Sequence, residues 1–221
     1  MGEYVDLLRA VHTSTKRDYV GRVTEYPKAE AAKIAKKWGY DFFDGDRRFG
    51  YGGYSYDGRW KPVAEKIIQR YGLKDGMSVL DVGCGKAHLL LELKKLIPGL
   101  IVKGIDLSEY AITHTEQDIA PYLEVGDARN LRMYGDNEFD LLISLNTLHN
   151  LYIYELFPTL KEIARISRES YIVVASYETE EQEVNMLYWQ LTCESFFSVR
   201  EWEWIFKECG YTGDYGFVFF D

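Results

Sequence analysis

Cysteine is scarce: Cys84, Cys193 and Cys209 are the only three in 221 residues, and no metal-ligand spacing relates them. An odd count with no paired framework argues against a disulfide-stapled secreted scaffold and fits a reducing compartment, so a cytoplasmic location and no metal are expected. Proline is also rare, at five residues, and no repeat or Pro/Gly/Ser linker divides the chain. Basic residues are outnumbered, 26 Lys and Arg against 35 Asp and Glu, for a net charge of −9. That balance speaks against a broad nucleic-acid or anionic-membrane surface, leaving a small molecule as the expected partner and a monomer or homodimer as the expected state. No apolar run approaches the roughly 20 residues of a membrane span. The opening MGEYVDLLRA lacks the apolar stretch of a signal peptide. What the chain does have is an apolar share of 47% and an aromatic share of 15%, enough to build a sizeable core.

From residue 60 onward, short apolar runs alternate with helical patterns. Ser78-Val79-Leu80-Asp81-Val82, Leu100–Ile105, Tyr122–Val125, Phe139–Ser144 and Tyr171–Ala175 read as strands, and a final strand lies within Tyr211–Phe220. Trp60–Tyr71, Lys86–Leu96, a helix from the Ser108 cap to about Asp118, Tyr154–Ile166, Glu180–Gln190 and a capping-box helix from Ser198 to Cys209 read as helices. Continuous apolar strands separated by helices predict a doubly wound, mostly parallel α/β sheet with ligands at the carboxyl ends of its strands. Residues 1–59 break that rhythm and predict an N-terminal cap: a short helix over Glu30–Trp38, then a Tyr-, Gly- and Arg-rich loop over Asp41–Trp60 that folds over a site. The expected division is a cap over 1–59 and an α/β domain over 60–221, with an insertion at 178–197.

The first strand runs into Gly83-Cys84-Gly85-Lys86-Ala87, a tight glycine turn opening a helix. Such a turn lets a ligand approach the backbone and aims helix N–H groups at it. The second strand ends at Asp106 and the third at Asp127. An acid at the second strand end accepts from ribose hydroxyls. Asp81, ahead of the first glycine, would repel a pyrophosphate and suits an amino group instead. That disfavours a nicotinamide-dependent oxidoreductase. Asp127 suits an exocyclic adenine amine.

LDVGCGKA, IDLS, GDARNL and FDLLISLNTLHNL, in this order, resemble the class I S-adenosylmethionine-dependent methyltransferases over about residues 60–175. The resemblance implies S-adenosylmethionine as cofactor. Asp81, Gly83 and Gly85 would flank its methionine moiety, Asp106 its ribose, Leu107 its adenine, and Asp127 with Ala128 its adenine amine. Leu145 and Asn146 would lie beside the transferred methyl. Two departures stand out: Ala87 replaces the usual third glycine, and one final strand is evident where the family has an antiparallel pair.

Methyl transfer from a sulfonium is an in-line displacement, so alignment dominates. Tyr19, Tyr51, Tyr54, Tyr56 and Trp60 are candidates for aromatic faces near the sulfonium or acceptor. Arg22, Arg47, Arg48 and Arg59 are candidates for the cofactor carboxylate or an anionic acceptor, Arg22 foremost for the cofactor and Arg47 and Arg48 for the acceptor. His149 is the leading base candidate, with Asn146 and Glu178 as further catalytic candidates and Tyr177 beside the acceptor. Tyr188, Trp189, Phe196 and Phe197 of the insertion are expected in the acceptor wall. The N-terminal segment also looks similar to methyltransferases of surface-polysaccharide pathways, which implies a sugar or sugar-nucleotide acceptor. A non-catalytic cofactor-binding protein is the alternative from another class.

Overall fold

The computed structural model describes residues 2–12 and 17–221. Short helices come first: α1 (Arg9–His12), α2 (Tyr19–Thr24), α3 (Lys28–Ala35) and α4 (Tyr40–Phe43). Then follow α5 (Lys61–Tyr71), β1 (Ser78–Val82), α6 (His88–Leu96), β2 (Ile101–Asp106), α7 (Glu109–Thr113), β3 (Leu123–Val125) and β4 (Phe139–Leu145). The chain continues through α8 (Ile153–Ile166), β5 (Ser167–Ala175), α9 (Glu180–Trp189), α10 (Val199–Glu208) and β6 (Asp214–Val218).

The caps explain most of the ends. Gly72 closes α5 in the left-handed region at φ 60°. The Ser108 side chain accepts from the Ala111 N–H at the start of α7, and Ser198 with Glu201 forms the capping box of α10. Helix α7 is shorter than its pattern predicts. The Thr113 hydroxyl donates back to the Glu109 and Tyr110 carbonyls, and β-branched Thr113 and Thr115 add no helical support.

The six strands run in the order β3-β2-β1-β4-β5-β6, and every neighbouring pair is parallel. The antiparallel final pair implied by the resemblance is therefore absent from the described residues. A parallel neighbour needs a crossover, and α10 supplies it between β5 and β6. Beyond β6 the edge is closed by the chain's own start: Tyr4 bridges Tyr215, Val5 N–H donates to the Tyr215 carbonyl and Tyr215 N–H to the Glu3 carbonyl.

Alternate strand residues feed two cores. Val79, Leu141, Ile143 and Val173 pack with α5, α6 and Leu7–Leu8 on one face. Leu80, Val82, Leu142, Ile172 and Val174 pack with α8 and α10 on the other. A third cluster joins Ala31, Ala35, Phe42 and Phe43 to Ala111 and Leu191, seating the cap on the carboxyl rim of the sheet. Residues 3–8 thus pack with the sheet and not with α2–α4. The segment read as a loop over Asp41–Trp60 contains most of α4 and a 3₁₀ turn at Arg47–Phe49.

Candidate active site

A cavity of about 440 Å³ opens at the carboxyl ends of the strands, between the sheet and the cap. Its floor is the glycine turn. Gly83 sits at φ +80°, and a Cβ there would lie 2.0 Å from the Thr147 hydroxyl, so the turn packs directly against the segment after β4. Gly85, at φ +54°, donates its N–H to Asp106 Oδ2 at 2.7 Å, while Asp106 Oδ1 accepts from Ser108 N–H at 2.8 Å. Asp106 therefore braces the glycine turn as well as facing the cavity. Ala87 holds φ 56° at the N-cap of α6, a left-handed geometry that costs a residue with a Cβ about 1 kcal/mol.

Asp81 lines the cavity, is only 4% exposed and accepts no hydrogen bond among the described residues. Burial first, and the nearby negative charge of Asp106 second, push its pKa up to about 8. A buried carboxylate that faces a cavity without a donor of its own calls for a cation. Burial also raises Asp106, against the lowering pull of its two backbone donors. Asp127 is held down by Arg129, which donates to it from its backbone N–H at 2.9 Å and from its guanidinium at 2.6 Å. Arg129 reaches Glu155 as well, at 2.9 Å. Gly126, Ala128, Leu107 and Leu145 complete this side. Asn146, just past β4, is left-handed at φ 57°, strain of the kind that collects at functional sites.

The cap forms the opposite wall. Tyr51, Tyr54 and Trp60 line it. The Tyr51 hydroxyl donates to Gln190 Oε1 at 2.7 Å and accepts the Leu191 N–H at 2.9 Å, locking the loop to the segment after α9. Tyr54 packs against Phe43 at 4.8 Å between ring centroids, and burial raises its pKa.

Other expected residues lie elsewhere. Arg22 donates to the Trp189, Arg47 and Gly50 carbonyls, so it fastens the cap and does not face the cavity. Tyr19 donates to the Asp221 carbonyl at 2.9 Å. Arg47 and Arg48 border a separate cleft beyond Trp189, where Arg48 pairs with Asp46 at 2.9 Å. Tyr56 donates to Glu92 and accepts from Lys95 outside the cavity. Tyr177 and Glu178 also fall outside the cavity wall. Of the insertion's aromatics, Trp189 alone of the four expected lines it.

His149 does line the cavity, but its Nδ1 accepts the Ala175 N–H at 3.1 Å. The proton must then sit on Nε2, and burial lowers the pKa to about 3. The ring is a neutral donor, not a base. Residues that the sequence did not single out also meet here: Arg17, Trp38, Asn150, Gln190 and Thr192. Trp38 holds φ 52°, and its carbonyl accepts the Ser108 hydroxyl at 2.5 Å. Asn150 donates to the Asn146 and Thr147 carbonyls, leaving its buried Oδ1 without a partner. Asn150 lies in the FDLLISLNTLHNL stretch, but Arg17, Trp38, Gln190 and Thr192 belong to no motif, so only the fold could assemble them.

A glycine turn, carboxylates at successive strand ends and a parallel sheet define a nucleoside-cofactor site built for a cationic amino acid. Residues 73–210 match the methyltransferase domain family, and the chain belongs to it. Its family and fold are those of the class I S-adenosylmethionine-dependent methyltransferases. Among curated relatives, it is 29% identical over 161 residues to the ribosomal protein L11 methyltransferase of Dictyoglomus thermophilum, covering 72% of this chain and 50% of that protein. It is 35% identical over 116 residues to the demethylmenaquinone methyltransferase of Desulfitobacterium hafniense, covering 48% and 41%. The chain thus spans half or less of these relatives' lengths. Among solved structures, a methyltransferase from Archaeoglobus fulgidus superposes with a TM-score of 0.53 at 24% identity, over 68% of each chain. One from Aquifex aeolicus gives 0.50 at 22%, over 84% of this chain and 88% of that one. The site fits S-adenosylmethionine on its own terms: bare Asp81 answers an ammonium, and Gly83 and Gly85 leave the backbone open to it.

Proposed function

We propose that the protein methylates an oxygen or nitrogen of a small, polar or anionic acceptor held beneath the cap. The observation that carries this reading is the cap itself: Tyr51, Tyr54 and Trp60 line the cavity opposite the glycine turn and the strand-end carboxylates. Asp81 binds the cofactor's amino group, Asp106 its ribose hydroxyls, and Asp127, oriented by Arg129, its adenine amine. Leu107 and Ala128 flank the adenine, and Leu145 and Asn146 border the reacting carbon. The cofactor supplies an activated methyl group. The chain supplies alignment and exclusion of water. Neither His149, a neutral donor, nor Glu155, paired with Arg129, is arranged as a general base. An acceptor atom that is nucleophilic as bound, such as a neutral amine or an ionised oxygen, fits this arrangement.

A sugar acceptor draws no support from the relatives named above, and the Arg47–Arg48 pair that suited a sugar nucleotide lies outside the cavity. The test is calorimetric titration with S-adenosylhomocysteine and with NAD. Tight binding of the former and none of the latter is expected. Asp106→Ala should weaken the former by about 1–3 kcal/mol, and wild-type affinity in that variant overturns the assignment.

A further inference from the structure

The sheet order acts as a ruler. Under the proposed reading, adenine, ribose and methionine lie over the ends of β3, β2 and β1, and the acceptor must then lie over β4, β5 and β6. Strands are spaced by about 4.8 Å, so the end of β6 is roughly 14 Å across the sheet from Asp81. Arg17 stands at that far end. Its guanidinium packs on Phe220, two residues past β6, at 5.2 Å from the ring centre, and on Trp189 at 5.9 Å.

The other cations of the cavity are paired. Lys86 meets Asp44 at 2.6 Å, Arg59 meets Asp57 at 2.5 Å and Arg129 meets Asp127 at 2.6 Å. Arg17 makes no ion pair with a carboxylate among the described residues, and its Nε is buried without a hydrogen-bond partner. The adjacent Tyr19 hydroxyl donates to the Asp221 carbonyl and accepts from the Arg17 guanidinium, which leaves Nε as the unfilled donor. A half-buried guanidinium whose Nε is buried and unfilled, set between aromatic faces, matches the planar fork of one carboxylate. A phosphate dianion would need a further cation, and the other cations of the cavity are paired.

Resting on the methyltransferase reading above, we propose that Arg17 anchors the acceptor by a carboxylate group, with an aromatic or apolar body of the acceptor lying against Trp60 and Trp189. Arg17 is then a specificity determinant that the cofactor does not touch.

The experiment titrates the S-adenosylhomocysteine-loaded protein with 3-phenylpropionate and indole-3-acetate, each against its neutral amide, and with inorganic phosphate. The carboxylates should bind at least about tenfold more tightly than the amides. Arg17→Met should reduce that preference to about twofold or less, and Arg17→Lys should restore part of it, while S-adenosylhomocysteine affinity stays within about twofold of wild type in both. Equal binding of acid and amide, preference for phosphate, or no carboxylate binding at about 10 mM overturns the proposal. Loss of S-adenosylhomocysteine affinity in Arg17→Met also overturns it, because Arg17 would then hold the cofactor's own carboxylate. Failure of the wild-type protein to bind S-adenosylhomocysteine at all is a different result, and it removes the underlying reading.

Discussion

At the scale of single residues, Asp81 sets stability against function. Its folded pKa of about 8 lies above the ordinary 3.8. The folded state therefore holds a proton that the unfolded chain releases, and stability is lost as pH rises from about 4 through 8. Asp81→Asn should match wild type in melting temperature near pH 4 and exceed it at pH 8, with a gain on the order of several kcal/mol, while binding S-adenosylhomocysteine more weakly. A variant that melts with wild type at both pH values contradicts the burial argument. In the wild type, binding of the cofactor's ammonium near pH 7 should release a proton from Asp81, visible as a calorimetric heat that changes with the buffer's ionisation enthalpy. For His149, nuclear magnetic resonance should find one ring of the four histidines still neutral below pH 4. His149→Phe should cost about 1–3 kcal/mol of stability, because Ala175 N–H loses its acceptor. Titration of every histidine near pH 6.5 would restore His149 as a base.

At the scale of elements, the sequence made the sheet legible and left the cap obscure, for a physical reason. Strands buried on both faces must be apolar throughout and must stop at polar turns, so β1, β2, β4 and β5 and the carboxylates at their rim follow from composition and period. The cap has neither period. Its aromatics are placed by contacts such as Phe42 with Tyr51 at 5.5 Å, which no spacing encodes. Arginines are harder still, since a long side chain can turn inward or outward from the same backbone. Arg22, Arg47 and Arg48 were the plausible anion binders by sequence, yet Arg22 serves loop carbonyls and Arg17 points into the cavity. Tyr51 is the cap's main latch. Tyr51→Phe removes its hydroxyl bonds to Gln190, Leu191 and Thr192, and should speed amide exchange and proteolysis over residues 45–58 while leaving β1 and β4 protected. Equal protection in both proteins would show that the ring alone holds the loop.

At the scale of the whole molecule, the closed edge of β6 matters most. Without the pairing of residues 3–5, β6 would present free N–H and C=O groups, and without Leu7 and Leu8 one core would open. A chain lacking residues 2–8 should lose several degrees of melting temperature and associate through β6, read by light scattering. A monomeric, equally stable product would mean that another segment covers that edge.

Arg22 gives the fold a kinetic character. Its guanidinium and Nε bind carbonyls from the cap at Arg47 and Gly50 and from the far wall at Trp189. With the Tyr51 latch to Gln190 and Leu191, Arg22 ties the cap to the end of α9, so the two are expected to open together. Cofactor and acceptor would then enter through the same event, and both association rates should level off at one common plateau as ligand concentration rises.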